Sequence, residues 1–343
     1  MFGLKESEIK ISSVKEGYIL RDSFARKIDY MRVSITDRCN FRCRYCMPQG
    51  IKTVPMSDIL TYEEILEVVR AAVECGISKI KITGGEPLVR CGAVNLIREL
   101  KNFPDIEHIT MTTNGVFLAP HAKELKEAGL EAVNISLDSL NRKIFCKITG
   151  FDKLNDVLNG IDAAISAGLR VKINSVLQKE LNSGEWRELL ELARNKPVDV
   201  RFIELMPIGE AKKFSAVNNK KLFEDIRTCY PLEPDKKFHG NGPAVYFKIS
   251  GFRGSVGFIS ALHEKFCSSC NRIRLTASGE LKPCLCFSKS YDLRKILRDS
   301  DEKNLHEKLK QIISSTIKAK PQSHSFENES LITELHHMAE IGG

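Results

Sequence analysis

The sequence predicts an α/β fold on a parallel sheet, with a smaller α+β region behind it. Three observations predict it. Short apolar runs rich in β-branched residues alternate with amphipathic stretches from Arg32 to Ile203. Glycine stands where two of those stretches should end as helices, at Gly76 and Gly168. Near Leu232 the alternation stops, and a Gly/Pro/Lys-rich loop, Pro234–Pro243, takes over.

In chain order, a strand is predicted at Arg32–Thr36 and a helix near Tyr62–Cys75. Strands at Lys79–Thr83, His108–Thr112, Ala132–Leu137, Val171–Leu177 and Asp199–Glu204 follow. Helices near Ala93–Lys101, Ala119–Ala128, Leu154–Ala167 and Glu185–Arg194 fall between them, and one near Asn219–Tyr230 closes the series. Repeated βα units imply right-handed crossovers in a parallel sheet. The pattern leaves open whether that sheet is doubly wound or curls toward a barrel, since six units fall short of the eight of an ordinary closed one. In both cases ligands belong at the C-terminal ends of the strands. Beyond the loop come strand-like pieces at Ala244–Ile249 and Ser255–Ile259, a cysteine group, and a helical tail from Tyr291 to Lys318. The expected organisation is an N-terminal extension (1–30), a main α/β unit (31–232) and a C-terminal region (233–343). Apolar Tyr18, Ile19, Leu20 and Phe24 would let the extension pack on the main unit.

The 343 residues are 42% hydrophobic and 28% charged, which fits a folded soluble chain and excludes a disordered one. No run approaches the roughly 20 apolar residues of a membrane helix. Met1–Lys10 is charged and carries no apolar stretch of a secretory leader. No membrane partner is expected. The net charge of +8 is spread along the chain, with no block of five or six basic residues. That favours a small phosphorylated ligand in a cleft over nucleic acid. Eleven cysteines suit a disulfide framework poorly, being odd in number, and a chain this long needs no staples. A reducing, cytoplasmic compartment with free or metal-bound thiols is the expectation.

Two cysteine groups stand out. Residues 36–50 read Thr-Asp-Arg-Cys-Asn-Phe-Arg-Cys-Arg-Tyr-Cys-Met-Pro-Gln-Gly, so Cys39, Cys43 and Cys46 have the spacing C-x3-C-x2-C just past the first strand. Three thiolates on one short loop can converge on one metal centre. Three is one short of the four that close a structural zinc site or a plain electron-transfer cluster. The centre is then open to a ligand, unless a distant His or Cys completes a zinc loop.

This spacing, with an aromatic (Tyr45) just before the third cysteine, resembles the cluster loop of the radical S-adenosylmethionine (SAM) superfamily. Further segments agree: Thr83-Gly84-Gly85-Glu86-Pro87 after the second strand, Thr112-Thr113-Asn114-Gly115 at the third, Ser136-Leu137-Asp138-Ser139 at the fourth, and Met206 after the sixth. Paired glycines let the backbone approach a ligand closely, and the glutamate can pair with an ammonium. The resemblance implies an incomplete (β/α)6 TIM-type barrel. It implies a [4Fe–4S] cluster on Cys39, Cys43 and Cys46, with SAM on the fourth iron. Tyr45, Gly85, Ser136 and Met206 would line the SAM pocket. Reductive cleavage of SAM would give methionine and a 5′-deoxyadenosyl radical.

The second group, Cys267, Cys270 and Cys284, has the spacing C-x2-C-x13-C, with Cys286 close behind. On spacing alone a closed zinc ribbon using Cys286 competes. Arg272 and Arg274 lie two apart on a strand-like run, so both guanidiniums share a face beside the metal. Arginine suits planar and phosphate recognition. The run Cys-x2-Cys-Asn-Arg-x-Arg-Leu-Thr-x2-Gly-x-Leu-Lys-Pro-Cys-Leu and the terminal Gly342-Gly343 resemble the GTP 3′,8-cyclase family of molybdenum cofactor biosynthesis. The likeness runs from about Met31 to Gly343.

That family implies a second [4Fe–4S] cluster on Cys267, Cys270 and Cys284 in the C-terminal region, with one iron free for substrate. It implies a Gly342-Gly343 tail that reaches the active site. GTP contacts carry over to Arg32, Lys81, Thr112, Lys172, Arg272 and Arg274, with Lys79 as an extra candidate, and catalytic parts to Arg272, Arg274 and Arg32. Lys172, charged in an apolar strand, needs a partner. In the implied reaction the deoxyadenosyl radical takes the 3′ hydrogen of GTP and C3′ adds to C8. The product is (8S)-3′,8-cyclo-7,8-dihydroguanosine 5′-triphosphate. The implied partners are a downstream cyclic pyranopterin monophosphate synthase and an external electron donor; a homodimer is one assembly it allows. The competing readings are a peptide-modifying radical SAM maturase and a non-enzymatic zinc-binding protein.

Overall fold

A computed structural model describes residues 20–48, 53–299 and 304–342. Tyr18, Ile19 and Gly343 lie outside the described residues. Of the remaining extension, Leu20 packs partly against the core, while Phe24 is exposed.

Six strands form the centre: β1 (Tyr30–Ser34), β2 (Lys79–Thr83), β3 (His108–Thr113), β4 (Ala132–Ser136), β5 (Arg170–Val176) and β6 (Val198–Ile203). They run parallel, side by side in chain order. Helices α1 (Tyr62–Glu74), α2 (Ala93–Lys101), α3 (Leu118–Glu127), α5 (Leu154–Ser166) and α6 (Trp186–Asn195) alternate with them, and α7 (Asn219–Cys229) follows β6. Thr61 and Glu64 cap α1 reciprocally, which fixes where it starts. One helix, α4 (Arg142–Thr149), was not expected. Its marks are local: the Asn141 side chain accepts from the amides of Lys143 and Ile144, and Gly150 ends it at φ +79.

Among the described residues, the C-terminal region adds its strands to the edges of this same sheet. β7 (Leu232–Pro234), β8 (Val245–Ile249) and β9 (Val256–Ile259) extend one edge, with β9 parallel to β6. β10 (Arg272–Leu275), β11 (Glu280–Lys282) and β12 (Tyr291–Asp292) extend the other, with β10 parallel to β1. Among the described residues the result is one sheet of twelve strands. The expected helical tail is two helices, α8 (Leu293–Leu297) and α9 (Leu305–Lys318), and α9 packs on α1. No helix among the described residues is long and apolar enough to cross a membrane.

Alternation along the strands separates two faces. Met31, Val33, Ile80, Ile82, Ile109, Met111, Val133, Ile135, Ile173, Val200 and Phe202 are buried in the core with the helices. Each such side chain contributes about 1.5–3 kcal/mol on burial. The residues between them, including Arg32, Lys81, Thr112, Asn134, Lys172 and Arg201, face one cavity. Pairing aligns them, with Arg32 opposite Lys81, Asn134 opposite Lys172, and Asn174 opposite Arg201. One face therefore holds the fold together, and the other is left to carry polar chemistry.

Candidate active site

Strand direction gives the cavity two ends. Cys39, Cys43 and Cys46 follow β1, at its C-terminal end. Cys267 and Cys270 precede β10, whose Arg272 pairs with Tyr30, so they sit at the N-terminal end. Cys284 follows β11, which is antiparallel to β10 and returns to that same end. A five-residue strand at about 3.3 Å per residue separates the two loops by about 16 Å. The second cysteine set therefore lies at the opposite strand ends from the first. The cations lie along the strands, between the two cysteine sets.

At the first end the paired glycines also pack on the cysteine loop. A Cβ on Gly85 would stand 2.4 Å from the carbonyl oxygen of Arg38, and one on Gly84 2.7 Å from that of Thr36. Gly85 N donates to Thr36 O at 2.7 Å and Glu86 N to Arg38 O at 2.8 Å. The glycines let this loop dock on the cysteine loop. Glu86 is fully buried, and its carboxylate already accepts from Thr113 Oγ1 (2.8 Å), Leu88 N (3.0 Å) and Asn114 N (2.6 Å). Burial pushes it up to about 7 against those bonds. Asn114 Nδ2 donates to Asn40 Oδ1 at 2.7 Å, tying the third strand's loop to the cysteine loop. Tyr45 donates its hydroxyl to Asp138 (2.8 Å), which burial pushes up to about 6. Gly85, Ser136 and Met206 line the cavity with it.

Burial raises Cys39 to about 11 and Cys46 to about 12, and holds Cys43 well above the usual thiol range. Thiols held this high would become thiolates at neutral pH only beside a cationic partner such as a metal centre. Phe41 N already donates to Cys39 Sγ at 3.4 Å, the kind of bond that steadies a ligating sulfur.

The middle of the cavity is cationic. Burial lowers Arg32 to about 10, Arg274 to about 9 and Lys172 to about 7, and holds Lys81 well below the usual lysine range. Neighbouring cations push the same way: Arg272 and Arg201 on Arg32, Arg201 on Lys172, Arg32 and Arg201 on Lys81. A polyanion would relieve that repulsion. Lys172 has an aromatic partner, its Nζ lying 5.8 Å from the Tyr246 ring centroid. Lys79 differs from the rest, since Asp29 neutralises it at 2.7 Å. Thr112 Oγ1 is buried without a hydrogen-bond partner. Arg201 escaped the sequence reading. It is 5% exposed, and Nη2 donates to Asn174. The signal was there in the two-residue period that puts position 201 on the Lys172 side of the sheet.

At the second end, burial would raise Cys270, but Arg272 and Lys320 outweigh it and bring the thiol down to about 6. Lys320 was also missed, and an isolated lysine behind a helix gives no signal. Its Nζ donates to the carbonyls of Arg272 and Pro283, both at 2.8 Å, binding the two cysteine strands together. Arg272 lies over the Phe266 ring at 4.9 Å. Cys267 Sγ accepts from His324 N at 3.4 Å. Cys286 lies off the cavity wall, fully buried among Ile208, Phe326 and Ile341. Of the expected tail only Gly342 is described, and it lies beside Arg274. The Gly342 carbonyl accepts from Arg274 Nη1 at 2.9 Å, and a Cβ there would stand 2.8 Å from Thr83 Oγ1.

Among the described residues, no three His, Cys, Asp or Glu side chains close round a single ion.

The chain is similar to known proteins over most of its length. The Radical SAM superfamily profile matches residues 33–193, and that of Molybdenum Cofactor Synthesis C matches 198–326. A "GTP 3′,8-cyclase" of Clostridium perfringens (strain SM101 / Type A) is 44% identical over 328 residues, 94% of this chain and 100% of that one. A "GTP 3′,8-cyclase" of Petrotoga mobilis is 46% identical over 330 residues, 94% of this chain and 99% of that one. Among solved structures, Streptococcus suis SuiB bound to S-adenosylmethionine shares the fold, with TM-score 0.58 and 14% identity over 89% of this chain and 77% of that one. With its cysteine ends, its cationic floor and relatives aligned along nearly its whole length, the chain belongs to the GTP 3′,8-cyclase family of the radical SAM superfamily.

Proposed function

We propose that the chain converts GTP to (8S)-3′,8-cyclo-7,8-dihydroguanosine 5′-triphosphate, the opening step of molybdenum cofactor synthesis. The observation that carries this is the row of buried cations on one sheet face, set between two three-cysteine ends. As a radical SAM protein it works with SAM and an iron–sulfur cluster. We assign that cluster to Cys39, Cys43 and Cys46, and a second to Cys267, Cys270 and Cys284. When bound, the first cluster and SAM supply the 5′-deoxyadenosyl radical that accepts the 3′ hydrogen.

The chain's own residues do the rest. Tyr45, Gly85, Ser136 and Met206 hold SAM at the first end. Arg32, Lys81, Lys172 and Arg201 take the triphosphate charge, and Thr112 Oγ1 finds its missing partner on the nucleotide. Arg272 and Arg274 orient the guanine toward the second end, so that C8 meets C3′. Gly342, held by Arg274, helps exclude water. The finer architecture is an incomplete barrel, with the SAM end in 31–232 and the second end in 233–343. Arg32 on β1 and Arg201 on β6, the first and last of the six central strands, line one cavity, and that supports it. An external reductant and a downstream synthase that consumes the product complete the scheme.

Anaerobic reconstitution with iron and sulfide, then incubation with SAM, dithionite and GTP, tests this. About eight irons per chain and a cyclised nucleotide are expected. Replacing Arg272 and Arg274 together by Ala should abolish GTP turnover while sparing GTP-independent SAM cleavage. Formation of 5′-deoxyadenosine with no GTP dependence and no cyclised product would sink the assignment.

A further inference from the structure

A loop that neither cysteine end requires closes the Lys172 side of the cavity. Residues 235–243 join β7 to β8 and cross the N-terminal ends of the strands. The Phe238 ring lies 6.4 Å from that of His108, the first residue of β3. A Cβ on Gly240 would stand 3.2 Å from Lys172 Nζ, and one on Gly242 3.9 Å from Arg201 Nη1. From His239 to Pro243 the loop lines the cavity and carries no carboxylate.

His239 fixes this loop. Its Nδ1 lies 2.8 Å from Asp199 Oδ2 on β6. Its Nε2 lies 3.0 Å from Asp235 Oδ2, within ion-pair range though off the hydrogen-bond direction. Both carboxylates are held in turn, Asp235 by Ser255 Oγ at 2.6 Å and Asp199 by Ser255 N at 3.2 Å. The ring stacks on Tyr246, with centroids 3.9 Å apart and planes 10° apart. Tyr246 is also the aromatic partner of Lys172. Gly257 makes room for that stack, since a Cβ there would meet the Tyr246 ring at 2.9 Å. The ring is thus held by a hydrogen bond at Nδ1, an ion-pair contact at Nε2 and the stack on one face. The bare backbone of Gly240 and Gly242 is thereby kept against two cations, where backbone amides can add to an anion site.

We infer that His239 is a positioning residue that seats Gly240–Pro243 as a cap over the terminal phosphates of the nucleotide. The inference rests on the GTP reading above and extends it to residues that touch no cysteine loop.

The test uses the reconstituted full-length enzyme and compares GTP, GDP and GMP by equilibrium binding and steady-state kinetics. His239→Ala should raise the Kd and KM for GTP about tenfold while lowering kcat by less than about threefold. GMP binding and the KM for SAM should hold. His239→Gln, which can still bridge to one carboxylate, should recover part of the loss. Equal weakening of all three nucleotides, a fall in kcat alone, or unchanged GTP binding would each overturn the role. Should His239→Ala fail to fold, Asp235→Asn keeps the ring and its Asp199 bond. It should show the same triphosphate-selective loss, about threefold, and its absence would equally overturn the role. A wild-type enzyme that binds no GTP would instead bring down the underlying GTP reading.

Discussion

At the C-terminal end of the sheet, burial holds Cys46 at about 12 and Cys39 at about 11, and the nearest carboxylates, Asp138 and Glu86, add to the rise. At the N-terminal end Arg272 and Lys320 draw Cys270 down to about 6 in spite of burial. Both ends offer three cysteines to one cavity, yet their surroundings have opposite sign. An end bounded by carboxylates suits a ligand that brings its own positive charge, as SAM does. An end ringed by guanidinium and ammonium suits an electron-rich base or a phosphate.

The sharpest way to break this contrast is chemical labelling of the metal-free chain at pH 7. With a value near 6, Cys270 is mostly thiolate, while thiols near 11 or 12 are not. Iodoacetamide should modify Cys270 at least about tenfold faster than Cys39 or Cys46, read by timed peptide mass spectrometry, because the larger thiolate fraction outweighs the lower nucleophilicity of a low-pKa thiolate. Replacing Arg272 and Lys320 by Met should erase most of the gap. Equal rates in the wild type would end the comparison.

A second change strikes one end alone. Gly85→Ala puts a methyl 2.4 Å from the Arg38 carbonyl oxygen, so the two loops must part. We expect a loss of about 2–4 kcal/mol in denaturant unfolding, with the Cys267 end still able to load iron. An unchanged midpoint would show that the loops do not dock as described.

The smallest effect concerns the ground between the ends. Lys172 has its value lowered from 10.5 to about 7, so in the free chain its amine is largely neutral above pH 7. Its stabilising contribution is complete above 10.5 and is lost as pH falls through 7. Bound triphosphate favours the charged amine. GTP binding near pH 8 should therefore take up about one proton and weaken as pH rises. Calorimetry in buffers of differing ionisation enthalpy measures the uptake, and Lys172→Met should reduce it.

The alternation of βα units was legible because each strand and helix carries its own period and caps. Both cysteine spacings were legible for the same local reason. The places where local pattern runs out are specific. Arg272 and Arg274 read as a pair on one strand, but nothing within that strand says it lies parallel to β1. The pattern break near residue 232 reads as a boundary between units, while the hydrogen bonds of β9 and β10 carry one sheet across it. Glu86 read as a ligand for an ammonium because the residues that occupy it, Thr113 and Asn114, arrive from the next strand. Lys320 acts through two carbonyls far from it in sequence, and no periodicity reports such a contact.

The pairing of β1 with β10 and of β6 with β9 also bears on how the chain comes off the ribosome. The six central strands are made first, and both outer strands then present bare backbone until the last third of the chain arrives. Open edges of this kind recruit other chains as readily as their own. The region that brings the second cysteine set therefore also guards the sheet during synthesis, so the protein cannot be a finished sheet without also having its second end.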